Sequence, residues 1–445
     1  MTRNAIWALP VLLVLLSLSA NAGGPLLIGS PTFGVDGQPF VWDNSQPIAY
    51  RVDTGGLGSM SNATALAHVQ LAMDAWTQVP TASLSTTRVG QILGPANGHV
   101  SGVGDFDAVL GSCIRAEQSP VVFDADGSLF SHLIGDASVL GITSICSVST
   151  DGHIQSVLSV LTGGSGLSDS QQDQVMTHEF GHFFGLDHSL PGTNPCGTST
   201  DDLAALPIMY FQLLSQSGLT TDDKAWISKL YPSSSFNSVY GTITGRVLFS
   251  DGQNAVQDAL VTAHAAKPSS LQGEDRALAW SAISGFRFTG NPGQPYTADY
   301  LPCSPASACA HGFYGNNVDG SRFGSRVPAL LGWYEIPVPQ GSYAIEISDL
   351  YGSGNLGPNN PTIPLPGPGE YWNPHESASD PTFSGINCTV RLPLDYVPVQ
   401  AGQVTANIDF IMNGTAPSFD LFEGDHPTGT SVSPFALTSA GAGRQ

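Results

Sequence analysis

Residues 178–188 read His-Glu-Phe-Gly-His-Phe-Phe-Gly-Leu-Asp-His, and the interpretation of the whole chain starts from this stretch. In a helix, His178 and His182 lie four residues apart, so both imidazoles project from one face and can share a metal ion. Glu179 is turned about 100° from His178 by the helical period, so it can face a metal-bound water without binding the ion. The spacing therefore predicts two metal ligands and a general base on one helix.

Gly185 and His188 complete the predicted site. A glycine can take the left-handed conformation that ends a helix, and this turn would bring His188 back toward the same ion. Three nitrogen ligands leave a fourth position open, which is typical of catalytic zinc, whereas structural zinc usually has four protein ligands. Histidines packed as ordinary core residues are the alternative, but packing requires neither Glu179 nor a third histidine at this spacing.

The sequence before the motif has the features of a helix N-terminus. Ser168 and Gln171 can form a capping box, and Asp169 lies near the positive end of the helix dipole. A helix over about residues 169–184 is therefore predicted. Its apolar stripe consists of Val175, Met176, Phe180 and Phe183.

The extended motif resembles that of the metzincin metallopeptidases, whose other hallmark is a methionine turn beneath the metal. Residues 206–210, Leu-Pro-Ile-Met-Tyr, resemble that turn, with Met209 as its methionine. The motif, the Met-Tyr pair and residues 219–231 are most similar to the matrixin branch found in secreted bacterial relatives. The resemblance covers about residues 45–232. The segment between His188 and Met209 is longer than in compact matrixins, so the rim of the substrate pocket departs from their pattern.

This resemblance implies an α+β metzincin-type catalytic domain, in which a twisted sheet is backed by the active-site helix. It implies a zinc-dependent endopeptidase that acts on a protein or peptide, with the three histidines holding one zinc ion and Glu179 as general base. Gly185 and Met209 would support the site structurally. Two alternatives stay open at this point. One is a secreted binding or adhesion protein with a catalytically silent zinc-binding domain, and the other is a metal-dependent hydrolase of a non-peptide bond.

Hydrophobic periodicity before the motif predicts a small unit of strands and helices. We expect the strand Val139–Thr143 to offer the sheet edge to which an extended substrate backbone pairs. The other predicted elements are strands at Ile48–Val52, Val121–Phe123 and Ile154–Leu161 and a helix at Ser61–Thr77.

After a Ser-rich linker at 233–238 the sequence changes to short alternating strands separated by Gly, Pro and Asn. This part resembles the carboxypeptidase-regulatory-like β-sandwich, interrupted by Gly/Pro-rich insertions around 285–330 and 351–385. We therefore expect a peptidase domain at 23–233, an all-β sandwich at 239–414 and a flexible tail at 415–445. The predicted strands of the sandwich are Thr242–Phe249, Ala259–His264, Gly332–Pro337, Tyr343–Ile347 and Val404–Met412.

The N-terminus and the charge balance predict an exported protein. Arg3 precedes an apolar run over 5–18 and then Ala-Asn-Ala at 20–22, which is typical of a signal peptide spanning residues 1–22. That run is too short to favour a membrane span. A net charge of −22 disfavours nucleic acid and anionic membranes as partners. The expected location is extracellular or periplasmic.

Six cysteines form an even set, so disulfides are expected in an exported chain. Cys113 with Cys146, and Cys303 with Cys309, are the preferred pairs because each is close in sequence and within one domain. The remaining two are Cys196 and Cys388.

A second metal is suggested by Asp124-Ala-Asp126-Gly127, which has the oxygen-rich, glycine-turned composition of a calcium loop. The glutamate that ends an EF-hand loop is missing, and an Asx-rich turn is an equally good interpretation. Asp124 and Asp126 are thus candidate calcium ligands.

Overall fold

In a computed structural model of the chain, the described residues are 23–26, 28, 38–133, 139–164, 166–191, 205–214, 216, 218–253, 255–256, 259–267, 274–285, 330, 332–350, 367–381, 394–414 and 436–439. The predicted signal peptide lies outside them, as do Cys196, Cys303, Cys309 and Cys388. The first region runs to residue 239. Its elements are β1 (Val41–Trp42), β2 (Ile48–Val52), α1 (Asn62–Thr77), β3 (Thr86–Gln91), α2 (Val103–Ile114), β4 (Pro120–Asp124), α3 (Ser128–Leu133), β5 (Val139–Val148), β6 (His153–Thr162), α4 (Asp169–Phe183), β7 (Gln212–Leu213), α5 (Thr221–Leu230) and α6 (Phe236–Val239).

The second region begins at residue 240 and consists of strands in its described part. They are β8 (Tyr240–Leu248), β9 (Ala259–Ala266), β10 (Glu274–Ile283), β11 (Trp333–Pro339), β12 (Gly341–Leu350), β13 (Glu370–Tyr371), β14 (Val397–Val399), β15 (Val404–Thr405) and β16 (Phe410–Ile411). A last strand, β17 (Ala436–Ser439), lies within the predicted tail.

A mixed sheet forms the centre of the first region. β3, β2, β4 and β6 lie side by side in parallel, and β1 also runs parallel to β6. β5 pairs antiparallel with β6 on one edge and antiparallel with β17 on the other, and β17 pairs in parallel with β7. Every residue of β4 is buried, as expected for a parallel strand covered on both faces. The strands predicted at β2, β4, β5 and β6 are confirmed.

Two helices pack against this sheet and against each other. Ser61 caps α1 by accepting the N–H of Thr64, and Ser168 with Gln171 forms the predicted capping box of α4. The indole Nε1 of Trp76, on α1, donates to the carbonyl oxygen of Thr177 on α4 at 2.8 Å. Apolar side chains of both helices and of the sheet form one buried cluster, so the position of α4 is fixed by the core.

The second region contains separate, mainly antiparallel sheets. β10, β9, β12 and β13 form one, with β14 on β12, and β11 and β8 form another, with β15 and β16 parallel to β8. Four of the five predicted strands are confirmed. The prediction of one strand over Val404–Met412 is wrong, because Asn407 has a φ of 64° and separates β15 from β16.

Helix α5 joins the two regions. Asp222 accepts the N–H of Ser281 at 2.8 Å, and the indole of Trp226 donates to the carbonyl of Ser281 at 2.7 Å. Farther along, Lys229 pairs with Glu335 of β11 at 3.1 Å. The main hydrophobic cluster also contains residues of both regions, so they pack as one continuous body at this helix.

A disulfide joins Cys113 of α2 to Cys146 of β5, with the Cα atoms 5.6 Å apart. This confirms the first predicted pair, whereas the second lies outside the described residues. In the part of the chain that the structure describes, no helix has the length and apolar character needed to cross a bilayer.

Candidate metal centre

The active-site helix predicted from the motif is α4, and it carries His178 and His182. Both side chains are completely buried, and their ring centroids are 4.8 Å apart. The four-residue spacing places both imidazoles on the same face of α4, as predicted. Because α4 is held between the sheet and α1, the two side chains have little freedom to move apart.

Gly185 ends α4 and redirects the chain. Its φ is 84°, its N–H donates to the carbonyl of His182 at 2.9 Å, and the N–H of Leu186 donates to the carbonyl of Gly181 at 3.0 Å. These two bonds form a Schellman motif, in which a left-handed glycine satisfies the last helical carbonyls. The turn returns His188 to the other two histidines, with its ring centroid 5.0 Å from that of His178 and 4.8 Å from that of His182.

Backbone carbonyls orient two of the imidazoles. The Nδ1 of His178 donates to the carbonyl oxygen of Ile208 at 2.7 Å, and the Nδ1 of His182 donates to that of Leu186 at 2.8 Å. A proton on Nδ1 leaves the Nε2 lone pair available to a metal. The Nε2 of His188 lies 3.1 Å from the Nε2 of His178, so the ligand nitrogens converge on one point.

Burial also keeps His178 uncharged. It lowers the pKa of His178 from 6.5 to about 4, despite the hydrogen bond to Ile208, so the imidazole carries no charge at neutral pH. All three histidines offer a ligand atom within 4.8 Å of the others. Convergent imidazoles, two of them held by backbone carbonyls in the tautomer that exposes Nε2, match what a divalent transition metal requires of its ligands. The residues therefore fit a bound metal ion.

Glu179 lies against β5. The prediction that Val139–Thr143 offers a sheet edge is wrong for the described structure, because β17 pairs with β5 on the side away from β6. The side chain of Glu179 is completely buried, and a Cβ added to Gly141 of β5 would stand 2.5 Å from its Oε1 atom. Only a glycine allows the strand to approach the carboxylate so closely. The carboxylate and β5 are therefore in close contact, and sequence reasoning did not find Gly141 because nothing in its neighbourhood marks the contact.

Met209 packs directly beneath α4. The sulfur of Met209 lies so close to Gly181 that a Cβ added to this glycine would collide with the sulfur. The backbone carbonyl of Met209 accepts the N–H of Ser189 at 2.9 Å. The turn is held by Asp223 of α5, whose carboxylate accepts the N–H groups of Ile208 at 2.9 Å and Met209 at 3.2 Å. Sequence reasoning missed this role of Asp223, although the capping-box spacing from Thr220 signals it.

The segment 23–26 also supports the site. Gly23 donates its N–H to the carbonyl of His188 at 2.6 Å, and the backbone N–H of Asp187 donates to the carbonyl of Gly24 at 3.0 Å. Leu26 donates to the carbonyl of Gly185 at 2.7 Å. This segment therefore runs along the turn that carries the third histidine, a contact that no sequence signal indicated.

The candidate calcium ligands lie at the start of α3, away from the histidines. Asp124 accepts the N–H of Phe130 at 2.9 Å, and Asp126 accepts the N–H of Ser128 at 3.0 Å. Both carboxylates thus satisfy N–H groups of the first helical turn. Neither belongs to a tight group of three or more candidate ligands in the described chain, so calcium at these residues stays a prediction.

The chain matches no protein-family model and no curated protein. Its interpretation therefore rests on the residues of the site.

Proposed function

We propose that the chain is a secreted zinc-dependent endopeptidase of the metzincin, matrixin-like type. We further propose that the antiparallel sheets of the second region form a carboxypeptidase-regulatory-like β-sandwich. The observation that carries the proposal is the convergence of three buried imidazoles, with a buried carboxylate, Glu179, on the helix that carries two of them. Such a cluster is costly to bury without a function, because none of its groups is needed for packing.

Zinc is the metal that the ligand set favours. Three imidazoles from one helix and its terminating turn are the ligands of catalytic zinc, with a fourth position left for water or substrate. Bound there, zinc would act as a Lewis acid and bring the pKa of a coordinated water toward about 7. His178, His182 and His188 would hold it, and the backbone carbonyls of Ile208 and Leu186 keep two of these rings in the tautomer that binds metal.

Glu179 is the proposed general base. Its carboxylate takes a proton from the attacking water and delivers it to the nitrogen of the leaving amine, so one group serves both halves of the reaction. Its position between α4 and Gly141 holds it in place, since the strand leaves no room for another rotamer on that side. Tyr210 has no proposed catalytic role, because its side chain is buried next to Met209 in the turn.

The proposed substrate-binding strand is β5, on the side that faces away from β6. Leu437 and Thr438 of β17 pair with Gly141 and Val139 there, so this side of β5 already accepts an extended polypeptide backbone. A substrate pairing there would take the place of β17 and would pass beside Gly141, which contacts the general base. Main-chain pairing of this kind favours a peptide over a non-peptide substrate.

The proposal is tested by incubating the purified chain, loaded with zinc, with a denatured proteome and sequencing the cleaved ends. We expect internal cleavage that stops on chelation and returns with zinc. Glu179→Gln should lower kcat/KM by at least about 100-fold while the zinc content stays at one equivalent. Glu117→Gln, at an exposed residue paired with Arg115, is the matched control and should cleave normally. A zinc-loaded protein that cleaves nothing would favour the binding or adhesion alternative.

A further inference from the structure

The strand β17 lies in the sheet of the first region, although it follows the whole second region in sequence. Its backbone pairs antiparallel with β5, where Leu437 lies opposite Gly141. On its other side it pairs in parallel with β7, where Ser439 lies opposite Leu213. A segment from beyond the second region therefore runs between two strands of the first.

Both strands that flank β17 border the candidate metal centre. β5 contacts the proposed general base, since a Cβ added to Gly141 would stand 2.5 Å from Oε1 of Glu179. β7 begins directly after Phe211, whose ring centroid is 6.5 Å from that of His188. Residues of β17 also come within 8 Å, Cα to Cα, of α4. The backbone of β17 thus passes between the strand beside the base and the strand beside the third histidine.

β5 is held in the sheet by contacts other than those with β17. Its ladder with β6 extends over residues 141–148, and the disulfide between Cys146 and Cys113 ties it to α2. In the described chain, β17 pairs with the opposite end of β5, over residues 139–142. Loss of β17 would therefore leave β5 in place and open one of its sides to another extended backbone.

We propose that β17 is an internal inhibitor, which occupies the substrate-binding side of β5. This inference rests on the proposed peptidase function and specifies how that activity is restrained. A substrate that pairs with β5 beside Gly141 needs the backbone groups that β17 already uses, so the two exclude each other. Because β17 belongs to the same chain, it competes at an effective concentration on the order of millimolar.

Competition of this kind has a defined kinetic consequence. A substrate must displace β17 before it binds, so β17 raises KM, whereas kcat at saturating substrate is unchanged. The unaltered chain is therefore slowed at low substrate concentration but still cleaves. Loss of the pairing should lower KM by roughly 10-fold or more. Loss of a strand that only stabilises the sheet would not lower KM.

The test uses the full chain, loaded with one equivalent of zinc, and the double variant Leu437→Pro with Thr438→Pro. Proline has no N–H, and successive N–H groups of a strand point to opposite sides, so the double variant loses one donor toward β5 and one toward β7. Thr438→Pro alone is the milder variant and should lower KM by an intermediate factor. Thr430→Pro, which lies before β17 in sequence, is the matched control and should keep the KM of the unaltered chain.

The measurement is KM and kcat for an unstructured peptide. A synthetic peptide with the sequence of residues 434–441, Pro-Phe-Ala-Leu-Thr-Ser-Ala-Gly, should inhibit the double variant competitively and raise its KM again. Amides of β4 and β6 should exchange with deuterium equally in both chains, which shows that the sheet is intact in the double variant.

A second readout does not require catalysis. Amides over residues 139–142 of β5 should exchange faster in the double variant than in the unaltered chain, because β17 no longer pairs with them. The non-cleaving variant Glu179→Gln should bind a labelled peptide roughly 10-fold more tightly once the two prolines are added.

The outcomes separate this inference from the proposed function. Cleavage by both chains with the same KM would overturn the internal inhibitor and leave the peptidase proposal intact. Equal exchange of β5 in both chains would also overturn the inhibitor. Cleavage by neither chain, with faster exchange of β5 in the double variant, would overturn the peptidase proposal and the inhibitory role with it.

Discussion

At the scale of single residues, the contact between Gly141 and Glu179 controls the geometry of the proposed base. Gly141→Ala would place a methyl group 2.5 Å from Oε1, so the carboxylate or the strand must shift. We expect kcat to fall by roughly 10-fold or more, because small misplacements of a catalytic group are costly. Zinc binding should not change, since the three atoms nearest to this methyl group all belong to Glu179 and none to a histidine.

The measurement for this variant is peptide hydrolysis together with zinc content. Gly102→Ala is the matched control, because an added Cβ there meets nothing within 4 Å. Equal activity of Gly141→Ala and the unaltered chain would show that the strand does not position the carboxylate.

The residues of the candidate metal centre were predictable to different degrees. The histidines and Glu179 are close in sequence, and helical geometry together with the glycine turn at Gly185 brings them together. Gly141 contacts Glu179 only because β5 is placed next to α4 by the sheet, and no local pattern reveals such a contact.

At the scale of elements, α5 supports the metal centre through Asp223. Asp223→Ala would leave the N–H groups of Ile208 and Met209 buried without acceptors. We expect the free energy of unfolding to fall by about 3 kcal/mol, and activity to fall because the carbonyl of Ile208 orients His178. Urea unfolding and peptide hydrolysis measure the two effects. Asp107→Ala, at an exposed residue, serves as the control. An equally small loss of stability and of activity in both variants would contradict this role of α5.

Sequence patterns predicted the long, regular elements and missed those that depend on context. α4 and β6 have strong periodicity or continuous apolar runs, so their type was clear. β10 was missed because its sequence, Glu-Asp-Arg-Ala-Leu-Ala-Trp-Ser-Ala-Ile, is rich in residues that do not favour strands. The break at Asn407 was missed because Asn takes a left-handed conformation only in some contexts.

At the scale of the whole molecule, Asp222 links the metal centre to the second region. Its carboxylate accepts the hydroxyl of Ser189, next to His188, and the N–H of Ser281 in β10. Burial and the charge of Asp223 raise the pKa of Asp222 from 3.8 to about 8. The folded chain therefore holds this proton more tightly than the unfolded chain does.

This difference predicts how stability depends on pH. The stabilising contribution of the proton on Asp222 is complete below about pH 4 and is lost as the pH rises toward 8. Asp222→Asn cannot ionise, so its stability relative to the unaltered chain should increase between pH 5 and pH 8, by on the order of 3 to 4 kcal/mol, and then level off. Urea unfolding of both chains at several pH values measures the difference. A difference that does not change with pH would show that Asp222 does not titrate in this window.

The central claim is that three imidazoles hold one zinc ion and leave a position open. X-ray absorption at the zinc edge of the protein loaded with one equivalent of zinc tests it most directly. We predict three nitrogen neighbours at about 2.0–2.1 Å with the scattering pattern of imidazole, and one oxygen neighbour. A sulfur neighbour, a fourth imidazole, or failure to retain stoichiometric zinc would contradict the claim.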